Sequence, residues 1–483
     1  MQIALVGSVL GRLLMLFSVT MLTPLPVDLY YGDGAWPVFT LSFAAALTAG
    51  FLIWLPARRA QGELKLRDGF LIVASFWLVL GSFGALPLHF AQVPELSFTD
   101  AMFEAISGLT TTGATVLTGL EEVPKAILYY RQQLQWLGGL GIVVLAVAVL
   151  PMLGVGGMQL YRAETPGPMK DTRLTPRIKE TAKALWYIYL ALTIACGAAY
   201  KVAGMGWFDA VCHAFSTVAI GGFSTHDASF AHFPQTSIRL IAIVFMFLAG
   251  INFALHFIAF NRRTLAGYFR DAEFRAYAFV LLALCALVVG GLLLYGWKED
   301  PSMALIDGLF QSVSIMTTTG FTTSNFSLWP GILPMLLILA AFMGGCAGST
   351  AGGMKCVRVL LLVKQGIREV RRLVHPSAEI PVTLGDTPVS TRVVDSVWGY
   401  FAVYVAVFIV ILISLQAGGL DSFTAFSAVA ATLNNLGPGL GEVATGYGGI
   451  GVTAKWACIV AMLLGRLEIF TFLVLISPTF WRP

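Results

Sequence analysis

Residues 100–115 read DAMFEAISGLTTTGAT. The stretch begins with an aspartate, continues through about ten mostly apolar residues and ends in a threonine–glycine group at Gly113. A helix of about ten residues is ~15 Å long, which is half of the hydrocarbon thickness of a bilayer. Aspartate is a good N-cap and complements the positive end of the helix dipole. The stretch therefore predicts a short helix that enters a membrane and stops midway.

The same pattern occurs three more times. The other copies are 209–224 (DAVCHAFSTVAIGGFS), 307–322 (DGLFQSVSIMTTTGFT) and 421–436 (DSFTAFSAVAATLNNL). The residue 13 positions after each aspartate is Gly113, Gly222, Gly320 and, in the fourth copy, Asn434. A helix end followed by a loop explains any single copy. Four copies at about hundred-residue intervals instead favour a repeated unit of span, short re-entrant helix and span.

The composition places these repeats in a membrane. Of the 483 residues, 57% are hydrophobic and only 12% are charged, whereas soluble domains carry about 25% charged residues. Apolar segments predict ten spans of about 20 residues or more. They lie at about 2–22, 36–56, 69–92, 133–156, 184–203, 237–260, 276–296, 331–363, 394–417 and 455–477. An ordinary soluble enzyme is excluded, and so is a large soluble domain on this chain.

The chain is predicted to be an all-α polytopic membrane protein with four repeats around one pore. The predicted units are an N-terminal two-helix unit (1–60) and pore repeats at 61–160, 161–265, 266–375 and 376–483. Basic residues concentrate in alternate connectors, at 58–67, 162–183, 262–275 and 358–372. By the positive-inside rule, these connectors and both termini are cytoplasmic. All four repeats then share one orientation.

The end of each short helix is predicted to form an ion filter. Irregular backbone at mid-membrane depth is tolerated only where it is buried in protein or lines a wet cavity. Glycine adopts positive φ without steric cost, and asparagine is a common substitute. Rings of carbonyl oxygens can replace the hydration shell of a monovalent ion such as potassium. The candidate carbonyl residues are Thr111, Thr112, Gly113, Ile220, Gly221, Gly222, Thr318, Thr319, Gly320, Thr432, Leu433 and Asn434.

These segments resemble the Trk/Ktr-type potassium uptake proteins, particularly their bacterial TrkH branch. The resemblance covers essentially the whole chain and rests on LTTTGAT (109–115), AIGGFSTH (219–226), MTTTGFTT (316–323) and ATLNNLGPGLG (431–441). It implies a pseudo-fourfold pore, potassium bound by filter carbonyls, a homodimer in the bacterial inner membrane, and control by a cytosolic nucleotide-binding RCK subunit. Because the fourth copy lacks glycine at Asn434, Asn435 joins the expected set. Plant relatives with serine at the first filter glycine are associated with sodium, so Gly113 favours potassium.

A glycine-rich interruption follows the third copy, where residues 344–355 read GGCAGSTAGGMK. Glycine costs about 1 kcal/mol in a helix interior, so a continuous helix is disfavoured. A mobile loop under the filter is one interpretation, and close helix packing through small residues is the other. The resemblance favours the loop, because the third unit of that family has a broken second helix that acts as a gate. The gate candidates are Gly344, Gly345, Gly348, Ser349, Thr350, Gly352, Gly353 and Lys355.

Two further groups of polar residues carry an expectation. Arg466 lies deep in the last apolar segment, where a charge indicates a functional site unless the side chain snorkels to the surface. The resemblance places a matching arginine in the pore near the gate. For the outward-facing His213, His226 and His232 we expect no zinc site, because the sequence does not group them with carboxylates.

The sequence contains neither the HExxH and GxSxG motifs of hydrolases nor a nucleotide-binding P-loop. We therefore expect an ion channel or transporter rather than an enzyme, with potassium as the transported ion, no nucleotide on this chain, and the lipid bilayer but no nucleic acid as a partner. Selective potassium and rubidium translocation, driven by the membrane potential, is the predicted function. The alternative is a secondary transporter that couples another small solute to a cation.

Overall fold

A computed structural model describes residues 2–60, 65–148 and 174–482. Part of the predicted basic connector, including Arg162 and Lys170, and the end of the predicted span 133–156 lie outside these residues. The described residues are mostly helical. A two-stranded ribbon, β1 (Thr383–Leu384) with β2 (Thr387–Pro388), is paired antiparallel.

The helices fall into an N-terminal group and four sets that each contain one short helix of the predicted pattern. The N-terminal group comprises α1 (Ile3–Thr20), α2 (Leu25–Tyr31) and α3 (Trp36–Ala57). The first set comprises α4 (Leu66–Gly84), α5 (Leu86–Phe90), α6 (Phe98–Leu109) and α7 (Lys125–Ala148). The second set comprises α8 (Leu174–Val202), α9 (Trp207–Ala219), α10 (Thr236–Ala249), α11 (Phe253–Arg262) and α12 (Ala266–Arg270).

The third set comprises α13 (Ala272–Leu294), α14 (Pro301–Met316), α15 (Leu333–Ala341) and α16 (Cys356–Val374). The fourth comprises α17 (Thr391–Ala417), α18 (Ser422–Leu433), α19 (Val452–Arg466), α20 (Phe470–Ile476) and α21 (Pro478–Trp481). Short 3₁₀ turns at Leu120–Glu122, Ser229–His232, Phe326–Leu328 and Gly441–Val443 follow the four short helices. We call α6, α9, α14 and α18 the pore helices.

Among the described residues, six helices are long and apolar enough to cross a membrane, or up to eight if each of two bent pairs is one span. The bent pairs are α10 with α11, at 94°, and α19 with α20, at 113°. Exposed apolar side chains such as Phe279 and Leu282 on α13 suit contact with lipid. These eight positions coincide with eight of the ten predicted spans. The predicted span 331–363 is divided into α15 and α16, because the glycine-rich stretch between them is not helical.

The pore helices are capped differently from the prediction. Asp421 is the N-cap of α18 and accepts hydrogen bonds from Phe423 N and Thr424 N. In α6 the N-cap is Ser97, and Asp100 lies three residues inside the helix. In α14 the N-cap is Asp300, and Asp307 lies in the helix interior. The expectation that each of the four aspartates is an N-cap is therefore correct for Asp421 and wrong for the other three. Their pore helices, α6, α9 and α14, begin before the aspartate.

Candidate functional site

All four pore helices end in the same backbone turn. At each end an N–H donates to the carbonyl five residues earlier, over 2.7–2.8 Å. The donor–acceptor pairs are Thr112–Ser107, Gly221–Ser216, Thr319–Ser314 and Leu436–Ala431. The residue before each donor has positive φ, namely Thr111 (52°), Ile220 (54°), Thr318 (65°) and Asn435 (54°). The residue after it is a glycine with positive φ, namely Gly113 (81°), Gly222 (80°), Gly320 (84°) and Gly437 (98°). We call residues 110–113, 219–222, 317–320 and 434–437 turns 1 to 4.

The fourth turn corrects the predicted register. Asn434 has φ of −89°, so it does not share the conformation of Gly113, Gly222 and Gly320. Thr432 and Leu433 still belong to helix α18. The glycine of this copy is Gly437, and the predicted position is three residues too early. The physical reason is at the other end of the helix, where Asp421 takes the N-cap place that Ser97 occupies in the first copy.

The four turns meet in a closed ring. A Cβ built on Gly113 would lie 2.1 Å from the carbonyl oxygen of Gly221, and one on Gly222 would lie 2.0 Å from that of Thr319. In the same way, a Cβ built on Gly320 would lie 2.1 Å from Leu436 O, and one built on Gly437 would lie 2.7 Å from Thr112 O. Each glycine thus lies directly against the carbonyl that precedes the glycine of the next copy. Only a residue without a side chain fits these positions.

Side chains behind the ring hold the turns in place. In turns 1 and 3, paired hydroxyls lie in contact, Thr110 with Thr112 at 2.7 Å and Thr317 with Thr319 at 2.8 Å. Turn 2 has neither hydroxyl. There the fully buried Gln135 of α7 donates from Nε2 to Gly221 O, over 2.5 Å, and its Oε1 accepts from Phe223 N, over 3.1 Å.

In turn 4 the Asn435 amide nitrogen donates to Thr112 Oγ1, over 3.0 Å, and to Met462 O, over 2.9 Å. This amide therefore ties turn 4 both to turn 1 and to α19. The role of Gln135 is not predictable from the sequence, because a glutamine in an apolar span carries no signal of the turn that it contacts. The sequence predicts Asn435 only as a residue whose main-chain carbonyl could bind the ion.

A buried ion pair within the first set also contacts the second set. Arg131 of α7 lies 2.6 Å from Glu104 of α6, and both side chains are at most 1% exposed. Glu104 also accepts from Thr115 Oγ1 and Val116 N, which follow turn 1. Arg131 donates to Ser224 O, which follows turn 2. The pair therefore fixes the segments that leave two neighbouring turns, and it compensates two charges that would otherwise be costly to bury.

A cavity of about 620 Å³ opens above the ring. Its lining includes the glycine of every turn, Gly113, Gly222, Gly320 and Gly437. The remaining walls come from the segments after the turns, including Thr115, His226 and Asn325. We call this cavity the vestibule. It gives solvent access to the ring from the side on which the pore helices begin.

The glycine-rich stretch forms a loop against the other side of the ring. We call residues 342–355 the glycine loop. Gly353 N donates to Asn434 O, over 3.0 Å, and Gly352 N donates to Thr318 Oγ1, over 2.7 Å. Thr350 Oγ1 donates to Val218 O, over 3.0 Å. The loop therefore contacts the ends of three pore helices, as the loop interpretation predicts and as packing of one continuous helix would not allow. Lys355, at its end, donates to Ala351 O.

Arg466 extends into the interior beside this loop. The residue is 3% exposed, and its guanidinium donates to Thr350 O, over 3.1 Å, and to Gly138 O, over 3.4 Å. Snorkelling to the surface is thus not its conformation. Its neighbour Glu468 turns away and pairs with Arg358 at 2.6 Å. Arg466 consequently brings a buried positive charge to the glycine loop and to α7.

Glu273 at the start of α13 was not selected from the sequence. Its Oε1 accepts from Ala347 N, over 2.7 Å, and from Val357 N, over 3.0 Å. The side chain is buried and thus ties the middle of the glycine loop to the start of α16. Its only sequence signal is an acidic residue next to a membrane span.

Comparison with known proteins identifies this architecture. The TrkH family model, described as a cation transport protein, matches residues 35–482. The chain belongs to the TrkH family. The Trk system potassium uptake protein TrkH of Vibrio parahaemolyticus is 57% identical over the full length of both chains. TrkH of Escherichia coli is 54% identical over 98% of both. The crystal structure of the potassium transporter TrkH from Vibrio parahaemolyticus superposes with a TM-score of 0.93, at 55% identity and full coverage of both chains.

Membership of the TrkH family confirms the predicted class. The chain is a helical membrane transport protein and not an enzyme, as expected from its composition and repeats. The TrkH relatives are named as potassium uptake proteins of Trk systems. The ion-binding residues and the gate are not tested by the comparison and remain predictions.

The structure contradicts the reason for expecting no zinc site at the histidines, because a carboxylate is grouped with two of them. His213 lies apart, with Nδ1 bonded to Asp209 O and Nε2 to Ser224 Oγ. His226 and His232, however, lie together with Glu121 at the rim of the vestibule, and ligand atoms of the three are within 4.8 Å of one another. The carboxylate comes from the segment after turn 1, about a hundred residues away along the chain. No local spacing reveals this grouping.

Proposed function

We propose that this chain conducts potassium through the ring of turns, as the membrane subunit of a Trk-type uptake system. The observation that carries the proposal is the closed ring of four identical turns, in which each glycine lies against the neighbouring copy's carbonyl. Its relatives are named potassium uptake proteins, which agrees with this assignment. The four predicted pore repeats, with their boundaries near 61, 161, 266 and 376, fit the same scheme.

The ion ligands in this proposal are main-chain carbonyls. They belong to Thr111–Gly113, Ile220–Gly222, Thr318–Gly320 and, in the corrected register, Asn435–Gly437. The C-terminal ends of the four pore helices point toward the ring, and the negative ends of their dipoles favour a cation there. Carbonyls replace a hydration shell without adding fixed negative charge, which suits potassium and rubidium. The membrane potential supplies about 2.3 kcal/mol per charge per 100 mV, so no nucleotide is required on this chain.

The glycine loop and Arg466 form the proposed gate. A loop packed under the ring blocks the ion path, and a buried guanidinium beside it repels a second cation. We infer that a cytosolic nucleotide-binding RCK-type subunit moves this loop. We also infer that two copies of the chain form a homodimer in a bacterial inner membrane. Both termini then face the cytoplasm. The basic residues in alternate connectors support that orientation.

The direct test is flux into proteoliposomes containing the purified chain. Potassium and rubidium should enter, while sodium and lithium should enter much more slowly. Gly437→Ala should abolish this discrimination, because its Cβ would lie 2.7 Å from Thr112 O and its φ is 98°. Gly449→Ala is the matched control, since no atom lies within 4 Å of the added Cβ. Equal lithium entry in the unmodified chain would overturn the filter, and uptake of an amino acid or sugar would favour the secondary transporter.

A further inference from the structure

Three groups with metal-ligating atoms converge at the rim of the vestibule. Glu121 comes from the 3₁₀ turn after turn 1, and His226 and His232 come from the segment after turn 2. One ligand atom from each lies within 4.8 Å of the other two. His226 Nδ1 is 3.6 Å from Glu121 Oε1, and His226 Nε2 is 3.4 Å from Asp209 Oδ1. Atoms bound to one zinc ion at about 2.0–2.1 Å in tetrahedral geometry are about 3.3–3.5 Å apart. The Glu121–His226 separation is close to that value.

The imidazole of His226 makes no ordinary hydrogen bond to the described residues. Both ring nitrogens are buried, and among the described residues neither has a hydrogen-bond partner with good geometry. Buried polar atoms in native proteins are nearly always satisfied, and an exception calls for a missing water or ion. The Glu121 carboxylate faces Nδ1 at a distance that is longer than an ordinary hydrogen bond and suits a shared ion, whereas the Asp209 carboxylate faces Nε2.

The surrounding backbone holds the cluster in place. The Asp227 carboxylate accepts from Gly119 N, over 2.7 Å, and from Leu120 N, over 3.1 Å. In return, Asp227 N donates to Glu121 Oε1, over 3.3 Å. These bonds join the segment that carries Glu121 to the segment that carries both histidines. These hydrogen bonds therefore fix the position of Glu121 relative to the two histidines.

We propose that Glu121, His226 and His232 bind a divalent transition-metal ion at the mouth of the vestibule. Two imidazole nitrogens with a carboxylate suit zinc, nickel or copper, whereas magnesium and calcium prefer all-oxygen sites. Asp209 lies on the other, Nε2, side of the His226 ring, so it would accept from Nε2–H and orient the ring instead of binding the same ion. The two histidine rings now lie stacked, with centroids 3.5 Å apart and planes within 5°. A shared ion must lie near both ring planes, so the exposed His232 rotates out of the stack when the metal binds.

The site has a consequence that rests on the proposed function. His226 lines the vestibule through which potassium would reach the ring. A bound divalent ion adds positive charge at that entrance, where electrostatic repulsion lowers the local concentration of a cationic substrate. External zinc should therefore slow potassium uptake.

Binding is tested first and without transport. Full-length chain in detergent, at neutral pH and without chelators, is titrated with zinc chloride and, separately, with magnesium chloride. We expect one zinc ion per chain and no magnesium binding. His226→Gln and Glu121→Gln should weaken zinc binding by about tenfold or more. His89→Gln is the matched control, because His89 is another histidine of the outward-facing segments and lies 3.0 Å from Leu96 O. Thermal melting checks that each variant is folded.

The outcomes separate the metal site from the transport proposal. Absence of zinc binding, or equal binding by the unmodified chain and both cluster variants, overturns the site. X-ray absorption at the zinc edge should show two imidazole ligands, and His232→Gln should remove one of them. In proteoliposomes, external zinc should slow potassium uptake by the unmodified chain and by His89→Gln but not by His226→Gln. Zinc binding with no effect on uptake overturns the inhibitory role, whereas failure of potassium uptake without zinc overturns the transport proposal alone.

Discussion

Gln135 makes the side-chain hydrogen bonds that hold turn 2, whereas paired threonine hydroxyls hold turns 1 and 3. Those turns contain paired threonines, whereas turn 2 has Ala219 and Gly221 at the equivalent positions. A Cβ on Gly221 would lie 2.4 Å from the Gln135 side chain, so the glutamine occupies the space that the glycine leaves free. Its amide bonds to both sides of Gly222, at Gly221 O and Phe223 N. A side chain from α7 thus completes the turn.

Replacing Gln135 with leucine should lower the potassium-to-sodium flux ratio severalfold while the chain still folds. The change removes two buried hydrogen bonds, and leaving their partners unsatisfied costs about 1–3 kcal/mol each. Flux of both ions into proteoliposomes measures the ratio. Gln133→Leu is the control, because Gln133 lies on the same helix and bonds to Thr20 and Thr23 instead. A merely structural role for Gln135 would lower thermal stability in both variants and leave both flux ratios unchanged.

Replacing Arg466 with alanine should raise ion flux in the absence of any regulatory subunit. The change removes the buried charge beside the glycine loop and its bond to Thr350 O. Arg466→Lys keeps the charge and should stay near the flux of the unmodified chain. Rubidium uptake at equal protein content is the measurement. Flux that is unchanged or lower in Arg466→Ala would contradict a barrier role.

The short helices and the broken helix are predictable from the sequence, but the residue at which each pore helix begins is not. The four short helices and the glycine-rich break were predictable, because apolar length and clustered glycines are local properties. The start of a helix is less clearly specified, since Ser97, Asp300 and Asp421 all serve as N-caps while Asp100 and Asp307 lie inside their helices. Aligning the copies on aspartate therefore misplaced the fourth turn by three residues. The contacts of Gln135 and Glu273 could not be predicted, because each joins elements more than 70 residues apart.

Glu273 connects the glycine loop to the start of α16. Its carboxylate holds Ala347 in the glycine loop and Val357 in α16 through one oxygen. Glu273→Ala should release the loop and raise rubidium flux without a regulatory subunit. Asp271→Ala is the matched control, because Asp271 caps the same helix by accepting from Phe274 N and has no bond to the loop. Equal flux in both variants, with both folded, would show that Glu273 only stabilises α13.

Across the whole molecule, charged side chains connect the copies around the ring. Lys455 of α19 in the fourth set lies 2.6 Å from Asp100 of the first pore helix. Arg239 of α10 in the second set lies 3.2 Å from Asp307 of the third pore helix. In each pair a helix that follows one turn contacts the pore helix of the next copy. The first of these contacts joins residues 355 positions apart and closes the ring between its last and first members.

The Lys455–Asp100 pair should therefore stabilise the assembled ring. A double-mutant cycle with Lys455→Met and Asp100→Asn, measured by thermal unfolding in detergent, should give a coupling energy of about 0.5–3 kcal/mol. The pair is largely buried, with side chains 9% and 23% exposed, so water screens it only in part. The exposed pair Arg372–Glu369, whose atoms are 3.8 Å apart, is the control and should couple by at most about 0.5 kcal/mol. Equal coupling energies in the two cycles would show that the Lys455–Asp100 charges do not stabilise the ring. Closure of the ring would then depend on the packing of each glycine against the neighbouring carbonyl alone.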